Sequence, residues 1–404
     1  MKYIFCSSIY NMDDYEYLSE KSKIALGLAD HNLNRNVIRG LDEVLGAPIS
    51  LINNTPIPNW PAYPKIIFRK QHWSHLPEAK DLNCGFINFP VLKHLSRAIT
   101  TFAAIRQAVK QAKGEPVTLL TYDLHVGACI AIRMARKCFS NLRTCVFMPD
   151  VPSAVLYAHS GGKITVADRM RAAIKMRSIN QFDSYVFITE YLKDLIDVSK
   201  KPYAVVEGIY NDQQPPLPEA TSGKKVIFYS GQLNPAYGMY ELLDAFVELY
   251  REHPDHELWL CGNGKAVPRI HELEKTCTGI KYFGYVNGQT VRQLQSEATV
   301  LVNPRQNIDS FTKYSFPSKT MEYLASGRPV IGYKLDGIPE EYDPYIQYVE
   351  DNSIDALKQK LYQLCALPKQ QRDEIGAQAR AFILKHKNPR IMCQRIVEIC
   401  EQHK

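Results

Sequence analysis

The sequence contains no run approaching the ~18 to 20 consecutive apolar residues that a membrane-crossing helix needs. It has no Cys-x-x-C pair and no Cys/His cluster at zinc-ligand spacing. Asp-x-Asp is absent, and no carboxylate cluster suggests a divalent-metal site. Internal repeats and low-complexity tracts are missing. The opening MKYIFCSSIYNMDD lacks the charged-then-apolar pattern of an export signal. These absences exclude a membrane-spanning chain, a zinc-stapled module and a disulfide scaffold. The ten cysteines are scattered, so they read as reduced core thiols, and the expected compartment is the cytoplasm.

What is present is a 404-residue chain, 45% apolar and 23% charged, the composition of a globular protein. That length exceeds one ordinary core, and two domains near 200 residues each are expected. Charge is unevenly divided. Residues 1–212 hold 26 Lys+Arg against 19 Asp+Glu, whereas residues 213–404 hold 23 of each. The surplus of +7 therefore sits on the first half, which suits an anionic partner such as a membrane surface. No motif for nucleic-acid binding accompanies it.

In the first half, short apolar runs alternate with helical patterns. KYIFC (2–6), PISLIN (48–53), KIIFRK (65–70), PVTLLTY (116–122), TCVFMP (144–149), SYVFIT (184–189) and YAVV (203–206) read as strands. Helices are expected within 19–46, over 91–114 and over 166–179. Lys93, Arg97, Arg106, Lys110 and Lys113 are placed off the apolar stripe of the second, and the third extends a basic stretch from Lys163 to Arg177. The alternation implies a doubly wound α/β domain. A polar, Pro- and Gly-containing stretch at 211–224 reads as a linker, and KVIFYSG then opens a second α/β series. The end of the chain, 391–404, has the period of an amphipathic helix.

The most informative stretch is Asn303 to Tyr333, NPRQNIDSFTKYSFPSKTMEYLASGRPVIGY. ATVLV before it reads as a buried parallel strand. Pro317 suits a first helical position, and Gly327 suits a helix stop. A helix start at the carboxyl end of a parallel sheet binds anions through free N–H groups and its dipole. Ser315, Ser318 and Lys319 lie at that mouth, with Arg305 and Lys313 in the loop before it. Glu322, one turn inside, could accept from a pair of sugar hydroxyls. A nucleotide offers ribose and diphosphate together. Other strand ends give Gly231 and Gln232, and the 284–286 segment with Tyr285. In the first domain they give His125, Asp150 and Thr189, the last as a helix cap.

FPSKTMEYLASGRPVI resembles the donor-site segment of family 4 glycosyltransferases, in the bacterial surface-polysaccharide branch. The blocks at 226–246, 257–264 and 280–286 follow the same family order, so the resemblance covers about 224–365 well. It implies the GT-B fold, two Rossmann-like domains facing a central cleft. Residues 1–210 would bind acceptor and 225–385 the nucleotide sugar, with 386–404 packing back on the first domain. The implied reaction is transfer, with retention, from a nucleoside-diphosphate sugar to a polyprenyl-diphosphate-linked surface polysaccharide, peripheral to the inner face of the plasma membrane. No cofactor and no metal are expected. The implied catalytic residues are Asp150, Lys319 and His125. The implied donor-binding residues are Gly231, Gln232, Tyr285, Arg305, Ser315, Ser318, Lys319 and Glu322. The chain departs from the family at three places: Gln232 and Tyr237 stand where Arg and Lys usually grip the diphosphate, and Tyr314 replaces a glutamate. Lys319, with Arg305 or Lys313, is the expected substitute. Alternatives are a nucleotide-sugar epimerase or hydrolase of the same fold, or a non-catalytic scaffold.

Overall fold

The computed structural model describes residues 1–122, 125–151, 165–198, 200–218, 220, 223–308 and 312–402. The chain forms two compact units, Met1–Ile209 with Pro389–Lys404, and Tyr210–Asn388.

The first unit is built on β1 (Lys2–Ser7), β2 (Ser50–Asn53), β3 (Ile67–Phe68), β4 (Gln71–Trp73), β5 (Asp81–Asn83), β6 (Phe86–Ile87), β7 (Val117–Tyr122), β8 (Leu142–Met148), β9 (Ser184–Phe187) and β10 (Tyr203–Val205). Eight of these make one sheet in the order β10-β9-β8-β7-β1-β2-β5-β4, parallel except for the β4–β5 pair. The central β7 is buried at all six positions, as its continuous apolar run requires when helices cover both faces. Its helices are α1 (Met12–Lys21), α2 (Ala29–Leu45), α3 (Leu92–Gln111), α4 (Val126–Cys138) and α5 (Val166–Ile179). Thr165 and Asp168 close a reciprocal capping box that fixes where α5 begins.

The second unit contains β11 (Lys225–Gln232), β12 (His256–Asn263), β13 (Ile280–Tyr282), β14 (Val300–Asn303), β15 (Val330–Gly332) and β16 (Ile346–Tyr348). They form one parallel sheet, β13-β12-β11-β14-β15-β16. Its helices are α6 (Met239–Glu252), α7 (Val267–Glu274), α8 (Gly288–Ser296), α9 (Ser318–Ala325), α10 (Ile354–Ala366) and α11 (Lys369–His386). The last helix, α12 (Pro389–Glu401), returns to the first unit and packs on α2, β9 and β10. Gly40 of α2 lets it approach, because a β-carbon there would overlap the Pro389 carbonyl and the Cys393 thiol.

Several sequence expectations need correction. The 65–70 segment supplies only two strand residues, which pair antiparallel with β6 outside the main sheet. The 19–46 region holds the end of α1 and all of α2. Thr189 precedes a 3-10 turn at Glu190–Leu195 but makes no side-chain capping bond. Pro317 is the residue before α9, with extended ψ of 97°, and Ser318 is the first helical residue. The basic stretch 163–177 falls on α5, except Lys163, which lies outside the described residues. The largest change concerns α3, where Lys93 and Arg97 are buried. Lys93 donates to the Ile57 carbonyl and Arg97 to the Thr55 carbonyl, and both cations sit over the Phe86 ring. Two loop carbonyls and an aromatic face outweigh the simple rule that charges point outward.

Candidate functional site

In the second unit the loops after β11, β12, β14 and β15 gather at the carboxyl ends of parallel strands, where α/β sheets bind ligands. Two glycines permit the close approaches there. Gly238 has φ +75° and opens α6, and a β-carbon on it would overlap the Pro304 carbonyl oxygen. Gly262 has φ +135° and lies against the carbonyl of Gly231 on the adjacent strand. Side chains would separate these loops at both points.

Helix α9 is fixed over the strand ends by three hydrogen bonds. The Tyr323 hydroxyl accepts from the Ser230 N–H at 2.8 Å and donates to the Ser230 carbonyl at 3.2 Å. At the first turn, the Asn303 amide donates to the Thr320 hydroxyl at 3.1 Å, joining the end of β14 to the helix. Burial pushes the Tyr323 phenol well above its ordinary pKa, so it stays a neutral donor and acceptor. A small recess beneath is lined by Asn303, Arg305, Thr320, Gly332 and Tyr333.

On the exposed side of α9, Lys319 Nζ and Glu322 Oε2 form an ion pair at 2.6 Å, each side chain about half accessible. Ser318 is exposed at the helix start. Arg305 is buried, donates to the Ser315 hydroxyl at 3.0 Å and stacks 5.5 Å from the centre of the Tyr237 ring. Lys313 lies over its neighbour Tyr314, 4.8 Å from the ring centre. The structure thus pairs Arg305 with Ser315 and Lys319 with Glu322, and Ser318 begins the helix that carries the second pair. Gly231 and Gln232 end β11, with the Gln232 side chain accepting from Asn234 at 3.3 Å. Tyr285 is largely exposed after β13. Sequence reasoning missed Tyr323, Asn303 and Thr320, which position the helix. The one available signal was polar residues on the face of α9 turned toward the sheet.

His125 and Asp150 belong to the first unit, where they follow the adjacent strands β7 and β8. His125 Nε2 is 3.2 Å from the Ser8 hydroxyl, and Asp150 Oδ1 accepts from the Val151 N–H at 2.7 Å. Among the described residues, no group of three His, Cys, Asp or Glu is placed to hold a metal ion. Among them, too, no helix is long and apolar enough to cross a membrane.

Residues 212–382 match the family described as "Glycosyl transferases group 1". No curated protein matches the sequence. Among solved structures, sucrose-phosphate synthase from Thermosynechococcus elongatus is similar at TM-score 0.64 and 14% identity, covering 100% of this chain and 99% of that one. A glycosyltransferase from Rickettsia africae is similar at TM-score 0.61 and 14% identity, covering 99% and 98%. A variant of S. aureus TarM, in complex with fondaparinux, α-GlcNAc-glycerol and UDP, is similar at TM-score 0.55 and 12% identity, covering 85% and 66%. At these identities the likeness establishes the fold, which is GT-B.

Proposed function

We propose that this protein, a GT-B chain whose residues 212–382 match the group 1 glycosyltransferases, transfers sugar from a nucleoside-diphosphate sugar to a lipid-linked or oligosaccharide acceptor. In the finer reading it extends a surface polysaccharide carried on polyprenyl diphosphate, with retention and without a metal ion, at the cytoplasmic face of the membrane. The TarM complex with UDP and a GlcNAc-glycerol supports a nucleotide donor and a sugar-bearing acceptor.

The observation that carries the proposal is the exposed Lys319–Glu322 pair on the first turn of a helix tied to the strand ends. An exposed ion pair contributes only ~0–1 kcal/mol, so its partners exchange readily. A nucleotide supplies a replacement for each: ribose hydroxyls donate to Glu322, and diphosphate oxygens accept from Lys319 and the first N–H groups of α9. Arg305 holds Ser315 beside them. In the reaction the bond from the anomeric carbon to the diphosphate oxygen breaks, and the acceptor oxygen bonds to that carbon. The bonding pair leaves with the diphosphate, whose new charge Lys319 and the helix start stabilise. The acceptor hydroxyl gives up its proton, and Asp150 is proposed as the base that takes it or as a group that orients the acceptor.

Calorimetric titration with UDP, GDP, dTDP and CMP, together with steady-state rates, tests this. Glu322→Ala is expected to cost ~1.5 to 3 kcal/mol in nucleotide binding without loss of fold. Lys319→Ala is expected to lower kcat more than it raises KM. Turnover is expected to survive exhaustive EDTA treatment. Unchanged binding and rates in both variants would overturn the donor-site assignment. Activity lost to EDTA and restored by magnesium or manganese would overturn metal independence.

A further inference from the structure

The burial of Lys93 and Arg97 turns the start of α3 inside out. With the cations beneath, Leu92, Leu95 and Ile99 fall on the outer face at helical spacing, and Leu95 and Ile99 are 57% and 62% exposed. The same face continues onto the β3–β6 ribbon. There Ile67, 63% exposed, is paired with the exposed Ile87. The Ser96 hydroxyl accepts from the Ile87 N–H at 3.0 Å, which joins ribbon to helix. Trp60 and Phe89, both exposed, stack at 5.4 Å between ring centres. The outer side of α3 and the ribbon joined to it are thus rich in exposed apolar side chains.

Its charge is as one-sided as its polarity. Residues 44–77 and 82–114 contain no Asp or Glu and, besides the buried Lys93 and Arg97, six Lys or Arg. Lys65, Arg69 and Lys70 on the ribbon are exposed at its border. Helix α4 packs against both α3 and α5. Burial, and then the charges of Arg171, Arg97, Lys93 and Lys175, hold the His94 imidazole below its ordinary pKa.

We infer that the first unit seats on an anionic lipid bilayer through this surface, with Ile67, Ile87, Leu95 and Ile99 entering the interface and the Lys/Arg border on the headgroups. Exposed aromatic rings beside cationic side chains match the chemistry of that boundary, apolar below and negatively charged above. A second copy of this chain is a poor occupant, because pairing the two faces would bring like-charged borders together. The inference deepens the lipid-linked-acceptor reading and rests on it for its biological purpose, but its test measures vesicle binding and not turnover, so the two can fail separately.

The test uses the full chain with sedimenting vesicles of phosphatidylcholine, with and without phosphatidylglycerol. Binding is expected to be much stronger with phosphatidylglycerol present, and a fraction should persist near 1 M salt, where charge attraction is screened within about 3 Å. Brominated acyl chains should quench tryptophan fluorescence in the bound protein, and Trp60→Phe should remove most of that quenching. The double variant Leu95→Ser with Ile99→Ser alters only exposed positions. It should weaken vesicle binding at least tenfold while leaving the melting temperature and nucleotide binding unchanged. Ile67→Glu should act similarly. Three outcomes overturn the inference: no binding to either vesicle, equal binding by wild type and variants, or concentration-dependent self-association that the same variants abolish in the absence of vesicle binding.

Discussion

His75 is held between two buried carboxylates, with Nδ1 2.7 Å from Asp81 and Nε2 3.0 Å from Asp42. Each carboxylate is also anchored at the start of β2, Asp42 accepting from the Ile49 N–H and Asp81 from the Leu51 N–H. Burial disfavours the imidazolium, but the hydrogen bonds and charges of Asp42 and Asp81 outweigh it and raise the pKa to about 9. A base with a raised folded-state pKa stabilises fully below its unfolded value near 6.5, and the contribution is lost as pH climbs through about 9. His31 has the opposite sign. Burial and then Arg35 push it down to about 4, so its contribution is lost as pH falls from about 6.5 toward 4. His75→Ala is expected to destabilise the first unit by ~3 to 5 kcal/mol near neutral pH, because it strands two buried carboxylates. Urea unfolding should show the wild-type advantage shrinking as pH rises from about 6.5 to about 9. An advantage that stays constant across that range would mean His75 is uncharged.

At the scale of elements, the sequence is informative where local chemistry has one solution. Apolar runs such as VTLLTY can only be central strands of a covered sheet, and Ser318–Ala325 begins after a proline and ends before a glycine. Helix α3 shows where legibility ends. Its period is visible, but which face turns inward depends on Phe86 and on the carbonyls of Thr55 and Ile57, contributed by distant segments. The candidate site divides in the same way. Lys319 and Glu322 are legible as neighbours one turn apart, whereas the Tyr323–Ser230 and Asn303–Thr320 bonds exist only once strands are aligned. Gly238 is the element junction most open to test. Replacing it with alanine forces a β-carbon residue into φ +75° and against Pro304, so a loss of roughly 1 to 3 kcal/mol is expected from the backbone alone. The loop carrying Arg305 should shift, and nucleotide affinity should fall with stability. Full retention of both would show that the two loops tolerate separation.

At the scale of the whole molecule, the second unit is an insertion between parts of the first. Helix α12 completes the first unit's core with Met392, Cys393, Ile396, Val397, Ile399 and Cys400, all buried. Full burial of Ile, Val or Met contributes ~1.5 to 3 kcal/mol each, so the group together rivals the entire ~5 to 15 kcal/mol of a typical domain. Truncation after Asn388 is therefore expected to unfold the first unit and leave Tyr210–Asn388 folded. Hydrogen exchange resolved by segment would show protection kept in the second unit and lost in the first. Equal protection in both would refute this division of labour.

The same arrangement sets an order of birth on the ribosome. Residues 1–209 emerge before the second unit, yet the helix that seals them emerges after it. The 179 residues of Tyr210–Asn388 intervene, and at ~5 to 20 residues per second they delay that helix by roughly 10 to 35 s. During that interval the nascent chain presents the bare face of α2 and the sheet edge that α12 will cover, while the second unit is already complete. A chain cut short before that helix would thus carry a folded second unit and a first unit exposed to chaperones and proteases. Quality control can reject it on that uncovered face alone.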